Sequence, residues 1–425
     1  MSEKNRLLMI AYHFPPLAGS SGIQRTLRFA QHLPAFGWEP LVLSATPLAY
    51  ERTSDDLLSE LPPQMVVRRA FALDTARHLA IGGRYPGWMA RPDRWATWRF
   101  DAVRVGMQMI KRYQPSAIWS TYPIATAHCI GAELHRRSGL PWLADFRDPM
   151  AQDGYPADAA TWAAYQRIEQ EAISQARCSL FTTPSAAAQY RQRYPAHAAR
   201  IHLLENGYDE DSFAAASLRP SSAAGNNVRV LLHSGIVYPD ERDPRQLLAA
   251  LRLLHDEGAI QPGQLIVRLR AAVHDDLIRQ LAQQYQVEHY VELCPAVGYV
   301  DALREMTQVD GLLVLQAANC NQQVPAKLYE YLRANRPILC LTDPGGDTAA
   351  VLRHAGVSRM ARLDCAKEIA GLIRHHLQTH GSGLLPDAAA VTGASRLQRT
   401  RQLVGHLHAT PTAAPIAPTV PTPVR

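Results

Sequence analysis

Lysine is scarce in this chain of 425 residues: only Lys4, Lys111, Lys327 and Lys367 occur, and the positive charge is carried by arginine. Arginine bias follows more simply from a GC-rich genome than from function, and a formal net charge of +6 is too small at this length to argue for nucleic-acid binding. Cysteine is sparse as well. Cys129, Cys178, Cys294, Cys320, Cys340 and Cys365 stand far apart, with no C-x-x-C pair for zinc and no dense disulfide framework, so they read as small buried hydrophobes. No stretch approaches the ~20 uninterrupted apolar residues of a membrane-crossing helix, and Met1 to Asn5 leads into a strand-like run without a signal-peptide pattern. A cytoplasmic protein is expected.

What is there is a globular composition, 47% apolar and 19% charged, on a chain too long for one ordinary core and suited to two. Short aliphatic runs alternate with longer amphipathic segments, the pattern of parallel sheets covered by helices. Strands are predicted near Leu7–Ala11, Leu41–Ser44, Met65–Arg68, Ala117–Ser120, Trp142–Ala144, Leu180–Thr182 and Ile201–Leu204. A second series is predicted near Val230–His233, Leu265–Leu269, Tyr290–Leu293, Gly311–Leu315 and Ile338–Leu341. The boundaries that follow are a first domain over 1–212, a small-residue linker over 213–227, a second domain over 228–385, a helix over 387–408 and a disordered Pro/Thr/Ala tail over 409–425.

In doubly wound sheets ligands bind outside the carboxyl ends of the strands, so the residues just after strands carry the chemistry. The first strand ends in a turn containing Gly19, Ser20, Ser21 and Gly22 before a helix, where backbone N–H groups and the helix dipole suit a phosphate. A tight strand-to-helix connection asks for the same residues. Asp145, Arg147 and Asp148 follow a buried strand. An Asp145–Arg147 ion pair capping the next helix competes there with a cleft-facing role, and Asp148 leans towards function. Gly235 opens another glycine turn, followed by Arg242, which either neutralises phosphate or pairs with Glu241 or Asp243.

The run Asn321 to Leu332 follows a strand, with Pro325 suited to a first helical position, Lys327 in the first turn and Glu330 one turn on. A diphosphate would meet free N–H groups and one cation there, and a carboxylate such as Glu330 suits a ribose diol. The competing reading is an i, i+3 surface pair of Lys327 with Glu330. Between the third and fourth strands, Arg84, Arg91, Arg94, Arg99 and Arg104 interleave with Tyr85, Trp88, Met89, Trp95, Trp98 and Phe100. That mixture suits a membrane interface or an anionic lipid-linked acceptor, and equally a solvated helix with a core-facing Trp stripe.

The segments AYHFPPLAGSSG, LPWLADFRDP, LLENGYD, LLHSGIVYPDERDP and VPAKLYEYLRANRPILCL, in this order and spacing, resemble glycosyltransferase family 4, the retaining GT-B enzymes, over roughly residues 6 to 408. The resemblance implies two Rossmann-like domains facing each other across a cleft, the first holding the acceptor and the second the nucleotide sugar, with a last helix crossing back to the first domain. Family members carry two glutamates separated by seven residues; Glu330 matches the second and Gln322 stands at the first. Pro325 stands where a glycine is usual, Ile236 where an arginine is often found, and Arg147 where many members place a histidine.

Carried over residue by residue, the resemblance assigns donor binding to Gly19, Ser20, Ser21, Gly22, Gly235, Arg242, Val297, Gln322, Val324, Pro325, Lys327 and Glu330. Catalysis falls to Arg147, Asp148, Arg242 and Lys327. It implies front-face transfer of a sugar, by default from a UDP-sugar, to a lipid-linked or polysaccharide acceptor of the cell envelope, with no cofactor, no metal and a peripheral contact with the inner membrane. Two other readings remain: a non-hydrolysing nucleotide-sugar epimerase, for which no convincing set of proton-transfer groups is found, and a non-catalytic scaffold on a decayed transferase fold.

Overall fold

The computed structural model describes residues 5–20, 22–217 and 228–408; Ser21, positions 218–227 of the expected linker and the expected tail at 409–425 lie outside the described residues. Seven strands, β1 (Asn5–Ile10), β2 (Trp38–Ala45), β3 (Val66–Ala70), β4 (Ala117–Thr121), β5 (Trp142–Arg147), β6 (Cys178–Phe181) and β7 (Ile201–Leu203), form one sheet in the order β3-β2-β1-β4-β5-β6-β7. Six more, β8 (Arg229–Ser234), β9 (Leu265–Arg270), β10 (Val291–Cys294), β11 (Gly311–Leu315), β12 (Ile338–Leu341) and β13 (Met360–Ala361), form a second in the order β10-β9-β8-β11-β12-β13. All pairings are parallel.

Parallel strands are covered on both faces, which is why β11, β12 and the Leu7–Ile10 part of β1 read as unbroken apolar runs. In the first sheet Leu8 and Ile10 face one apolar layer with Leu41, Trp98 and Phe146, while Leu7 and Met9 face the other with Leu27, Phe29 and Trp119. The second sheet divides likewise, Leu313 and Leu315 joining Leu251 and Ile373, and Leu312 and Val314 joining Leu328 and Tyr331. Only β13 was not foreseen. With two residues at a sheet edge it has no periodicity to read.

The strand order reverses beside β1 and again beside β8, leaving a crevice at each sheet's carboxyl edge. The chain passes between the sheets twice. Glu210–Ser217 is a helix whose Phe213 and Ala216 join the second domain's core, so the front of the expected linker is ordered structure. The stretch expected as one helix over 387–408 is two, Ala388–Gly393 and Arg396–His408. At the break between them Tyr208 N–H donates to Ala394 O at 3.2 Å and Arg396 N–H to Tyr208 O at 2.7 Å, so the two passages lie side by side. A Cβ at Gly207 would stand 2.5 Å from Ala394 O, which only glycine avoids. The final helix then lays Leu403, Val404 and Leu407 on Leu27, Ala30 and Leu33 of the first domain.

Candidate active site

Between the two carboxyl edges lies a cavity of about 580 Å3. Tyr122, Arg147, Asp148, Tyr155 and Asn206 line it from the first domain, and Glu241, Arg242, Gln316, Val324 and Pro325 from the second. Polar bridges join the walls: Thr183 donates to Gln322 O at 3.0 Å, Ser185 donates to Asp347, and the Tyr329 hydroxyl approaches Glu205 at 3.4 Å.

On the first wall, β5 ends in an irregularity between Asp145 and Arg147, and Arg147 adopts a left-handed φ of 62°. That turn separates the two side chains. Asp145 is fully buried and paired with Arg25 of the helix Gly22–His32, through bonds of 2.8 Å to each carboxylate oxygen, with Thr121 donating a third at 2.9 Å. The Asp145–Arg147 pair weighed from sequence is therefore not formed. Arg147 enters the cleft instead, where Nη1 donates to Tyr122 O at 3.3 Å and, among the described residues, the buried Nε has no partner. Burial lowers its pKa, only partly offset by Asp148. The Asp148 carboxyl is open to cleft solvent but surrounded by protein, which raises its pKa against the opposing pull of Arg147.

The glycine turn of β1 sits beside Arg147. Ser20 Oγ takes the Gly22 N–H at 3.2 Å and meets His13 Nδ1 at 3.1 Å. A Cβ at Gly22 would lie 2.4 Å from His13 Nδ1 and 2.7 Å from Arg147 Nη1, so this glycine makes room for two side chains. Burial, then Arg147, pushes the His13 pKa down to about 3, which keeps it neutral. Gly19 has φ +80° and open space around it.

On the second wall the helix Lys327–Ala334 has no side-chain cap at its N-terminus. Pro325 precedes this helix, accepting the Leu328 N–H at 2.9 Å, and so lies before the first helical position it was expected to fill. Lys327 and Glu330 do not form the surface pair weighed from sequence. Lys327 Nζ stands 3.0 Å from His233 Nε2, and a Cβ at Gly235 would lie 3.0 Å from the same Nζ, so glycine clears the space over the amine. Burial, then Arg242, depresses the Lys327 pKa well below the usual lysine value. Glu330 accepts from Tyr299 at 2.8 Å, and burial raises its pKa against that bond. Arg242 Nη1 is held at 2.6 Å by Ile236 O, while Asp243 pairs with Arg245; among the described residues no carboxylate lies within ion-pairing distance of Arg242.

Of the residues singled out from sequence, Arg147, Asp148, Arg242, Val324 and Pro325 line the cavity, and Lys327 with Gly235 sits just beyond Pro325. Gln322 is anchored through its carbonyl and its side chain is exposed. Val297 lies in the loop after β10, 43% exposed, and is not among the lining residues. Sequence reasoning missed Arg25, His233 and Tyr299, and also Arg396, whose buried Nη1 has no partner among the described residues. His233 ends a strand and was findable by position; the others come from distant helices.

Two doubly wound sheets meeting over a charged cleft define the GT-B class of two-domain α/β proteins. Residues 21–207 match the family model for the glycosyl transferase 4-like domain. That match spans less than half of the chain, and the chain as a whole has the GT-B fold. It is similar to the crystal structure of Anabaena HepE in complex with UDP, at 13% identity and a TM-score of 0.67, covering 95% of this chain and 99% of that one. Sucrose-phosphate synthase from Thermosynechococcus elongatus matches at 14% identity and a TM-score of 0.61, covering 95% and 96%. A putative UDP-N-acetylglucosamine 2-epimerase from Listeria monocytogenes matches at 10% identity and 0.57, covering 94% and 95%. At these identities the likenesses establish the fold. No curated protein matches the chain by sequence. Among the described residues no helix is long and apolar enough to cross a membrane.

Proposed function

We propose that the protein is a retaining glycosyltransferase that moves a sugar from a nucleotide-diphosphate donor, by default a UDP-sugar, onto a lipid-linked or polysaccharide acceptor of the cell envelope. The observation that carries this is Lys327: a half-buried amine under a glycine, at a helix N-terminus without a side-chain cap beside the cleft, next to Arg242, which among the described residues has no carboxylate within ion-pairing distance. A buried cation without a counter-ion is costly, and a diphosphate supplies the missing charge. Glu330, held by Tyr299 through one oxygen, keeps its other oxygen for a ribose hydroxyl. HepE has been crystallised with UDP in the same fold.

The chemistry that fits is front-face displacement. The bond from the anomeric carbon to the diphosphate breaks, and Lys327, Arg242 and the helix N-terminus stabilise the departing negative charge, which in turn draws the proton from the acceptor hydroxyl. No metal or cofactor takes part in this scheme. Asp148 lies on the opposite wall, where the acceptor would sit.

The segment between β3 and β4 supports a membrane-borne acceptor. Trp98 is buried and Arg94 is paired with Asp74 and Glu51, but Ile81, Trp88 and Phe100 are 88%, 70% and 80% exposed beside the exposed Arg84 and Arg99. Aromatic and basic side chains together favour an anionic lipid surface.

The deciding experiment is thermal unfolding with UDP, GDP and ADP and their sugar conjugates in the presence of EDTA. A ligand at ~100 times its Kd stabilises by ~2.7 kcal/mol. Stabilisation by one nucleotide class supports a metal-free nucleotide-sugar site; no stabilisation by any would sink the reading.

A further inference from the structure

A cation on the second wall answers the diphosphate, but the first wall carries one of its own that nothing in that scheme uses. Arg147 lines the cleft with one long bond to a carbonyl and, among the described residues, a buried Nε–H that meets no acceptor. Among the described residues it has no carboxylate within ion-pairing distance, because Asp145 is fully engaged by Arg25 and Asp148 takes its contact from Thr182 at 3.5 Å. Asp148 and Asp145 favour its charge only from beyond ion-pairing distance, and its remaining neighbours give no anionic partner. His13 is neutral, Arg25 adds a like charge, and the N-terminus of the helix starting at Gly22, the positive end of its dipole, faces the guanidinium at close range.

Polar groups closed off from water without partners are rare in folded proteins, and a half-buried guanidinium lining a cleft without a counter-ion is retained where something anionic completes it. A planar fork of N–H donors suits a carboxylate or a phosphate monoester better than a hydroxyl. The diphosphate is already met by Lys327 and Arg242 on the opposite wall, so the group that reaches Arg147 belongs to the saccharide.

We infer that Arg147 is the specificity-determining residue for an anionic saccharide, a sugar bearing a carboxylate or phosphate that lies in the cleft against the first domain. This rests on the nucleotide-sugar reading given above. The anion has two sources, the transferred sugar of the donor or the acceptor, and the same side chain serves either.

The test is calorimetric titration of the wild-type protein and Arg147→Met with UDP, UDP-glucose and UDP-glucuronate, followed by titration of glucuronate and glucose 6-phosphate into the UDP-saturated protein. An anion on the donor gives UDP-glucuronate at least tenfold tighter binding than UDP-glucose in the wild type, a preference lost in Arg147→Met while UDP binds both proteins alike. An anion on the acceptor leaves the two UDP-sugars equal and shows glucuronate or glucose 6-phosphate binding the UDP complex only when Arg147 is present. Equal weakening of UDP and UDP-glucuronate by Arg147→Met would overturn the inference by assigning Arg147 to the diphosphate. So would a variant indistinguishable from wild type with every probe. Absence of UDP, GDP and ADP binding in the wild type would instead remove the parent reading. If Arg147→Met does not fold, Arg147→Gln carries the same comparison.

Discussion

Arg25 and Asp145, 120 residues apart in sequence, meet in two bonds of 2.8 Å and are both almost entirely removed from solvent. The same guanidinium donates to Leu204 O at 3.0 Å and Glu205 O at 3.1 Å, so one side chain ties the first helix to the end of β5 and to the segment leaving the first domain. Removing one member leaves the other charged and buried, whereas removing both does not. Asp145→Ala is expected to cost about 3–5 kcal/mol in denaturant unfolding. The double replacement Arg25→Leu with Asp145→Leu should cost less than the sum of the single changes, and additivity would contradict the coupling.

Glu330→Ala removes a carboxylate proposed to hold the ribose. UDP affinity should fall by about ten- to a hundredfold, the scale of a hydrogen bond to a charged group, with the unfolding midpoint nearly unchanged. Calorimetry settles it, since unaltered affinity would take Glu330 out of the site.

Lys327 offers a pH signature. Burial and Arg242 hold its pKa below that of a free lysine. The folded apo protein therefore releases this proton at a lower pH than the unfolded chain, and a bound diphosphate, favouring the ammonium, raises the pKa again. UDP binding should take up a proton once the pH exceeds the depressed pKa, and affinity should fall as pH rises further. Titrations in buffers of different ionisation enthalpy measure the uptake, which Lys327→Arg should abolish. Lys327→Ala should lower kcat more than it weakens UDP, because the leaving charge is greatest in the transition state.

Asp209 answers to acid. Burial opposes its ionised form, but His32, Arg28 and Ser212 outweigh that and hold its pKa down to about 2. A carboxylate depressed in the folded state stabilises above its unfolded pKa of ~3.9 and loses that contribution as pH falls towards the folded value. Asp209→Asn should thus be less stable than wild type at pH 7 by about 2 kcal/mol, with the gap narrowing below pH ~4. A gap independent of pH would mean the loss is one of packing.

The exposed aromatics of the β3–β4 connection bear on the acceptor. Trp88→Ser combined with Phe100→Ser should reduce sedimentation with vesicles containing anionic lipid severalfold, without changing UDP affinity. Equal sedimentation of variant and wild type would dismiss the membrane contact.

The strands were legible because burial on both faces leaves an unbroken apolar run, a signal local to four or five residues. The place of Lys327 at a helix start was legible for a similar reason, since this rare residue stands two positions after a proline. The partners were not. Asp145 and Arg147 are two apart and looked like a pair, but the left-handed turn at Arg147 sends them to different places and Asp145 finds Arg25 from another helix. Tyr299 and Glu330 stand 31 residues apart on separate helices, and no spacing rule connects them. Short-range periodicity is written along the chain; which charge meets which is decided by packing.

The side-by-side passages at Gly207 and Ala394 have a mechanical consequence. Two tethers in contact, stitched by the bonds of Tyr208 to Ala394 and Arg396, resist twisting and sliding, because either would pull them apart. Swinging about the line through them disturbs neither bond. The contacts of Thr183, Ser185 and Tyr329 across the cleft lie away from that line, so such a swing would part them while the two stitched passages stayed together.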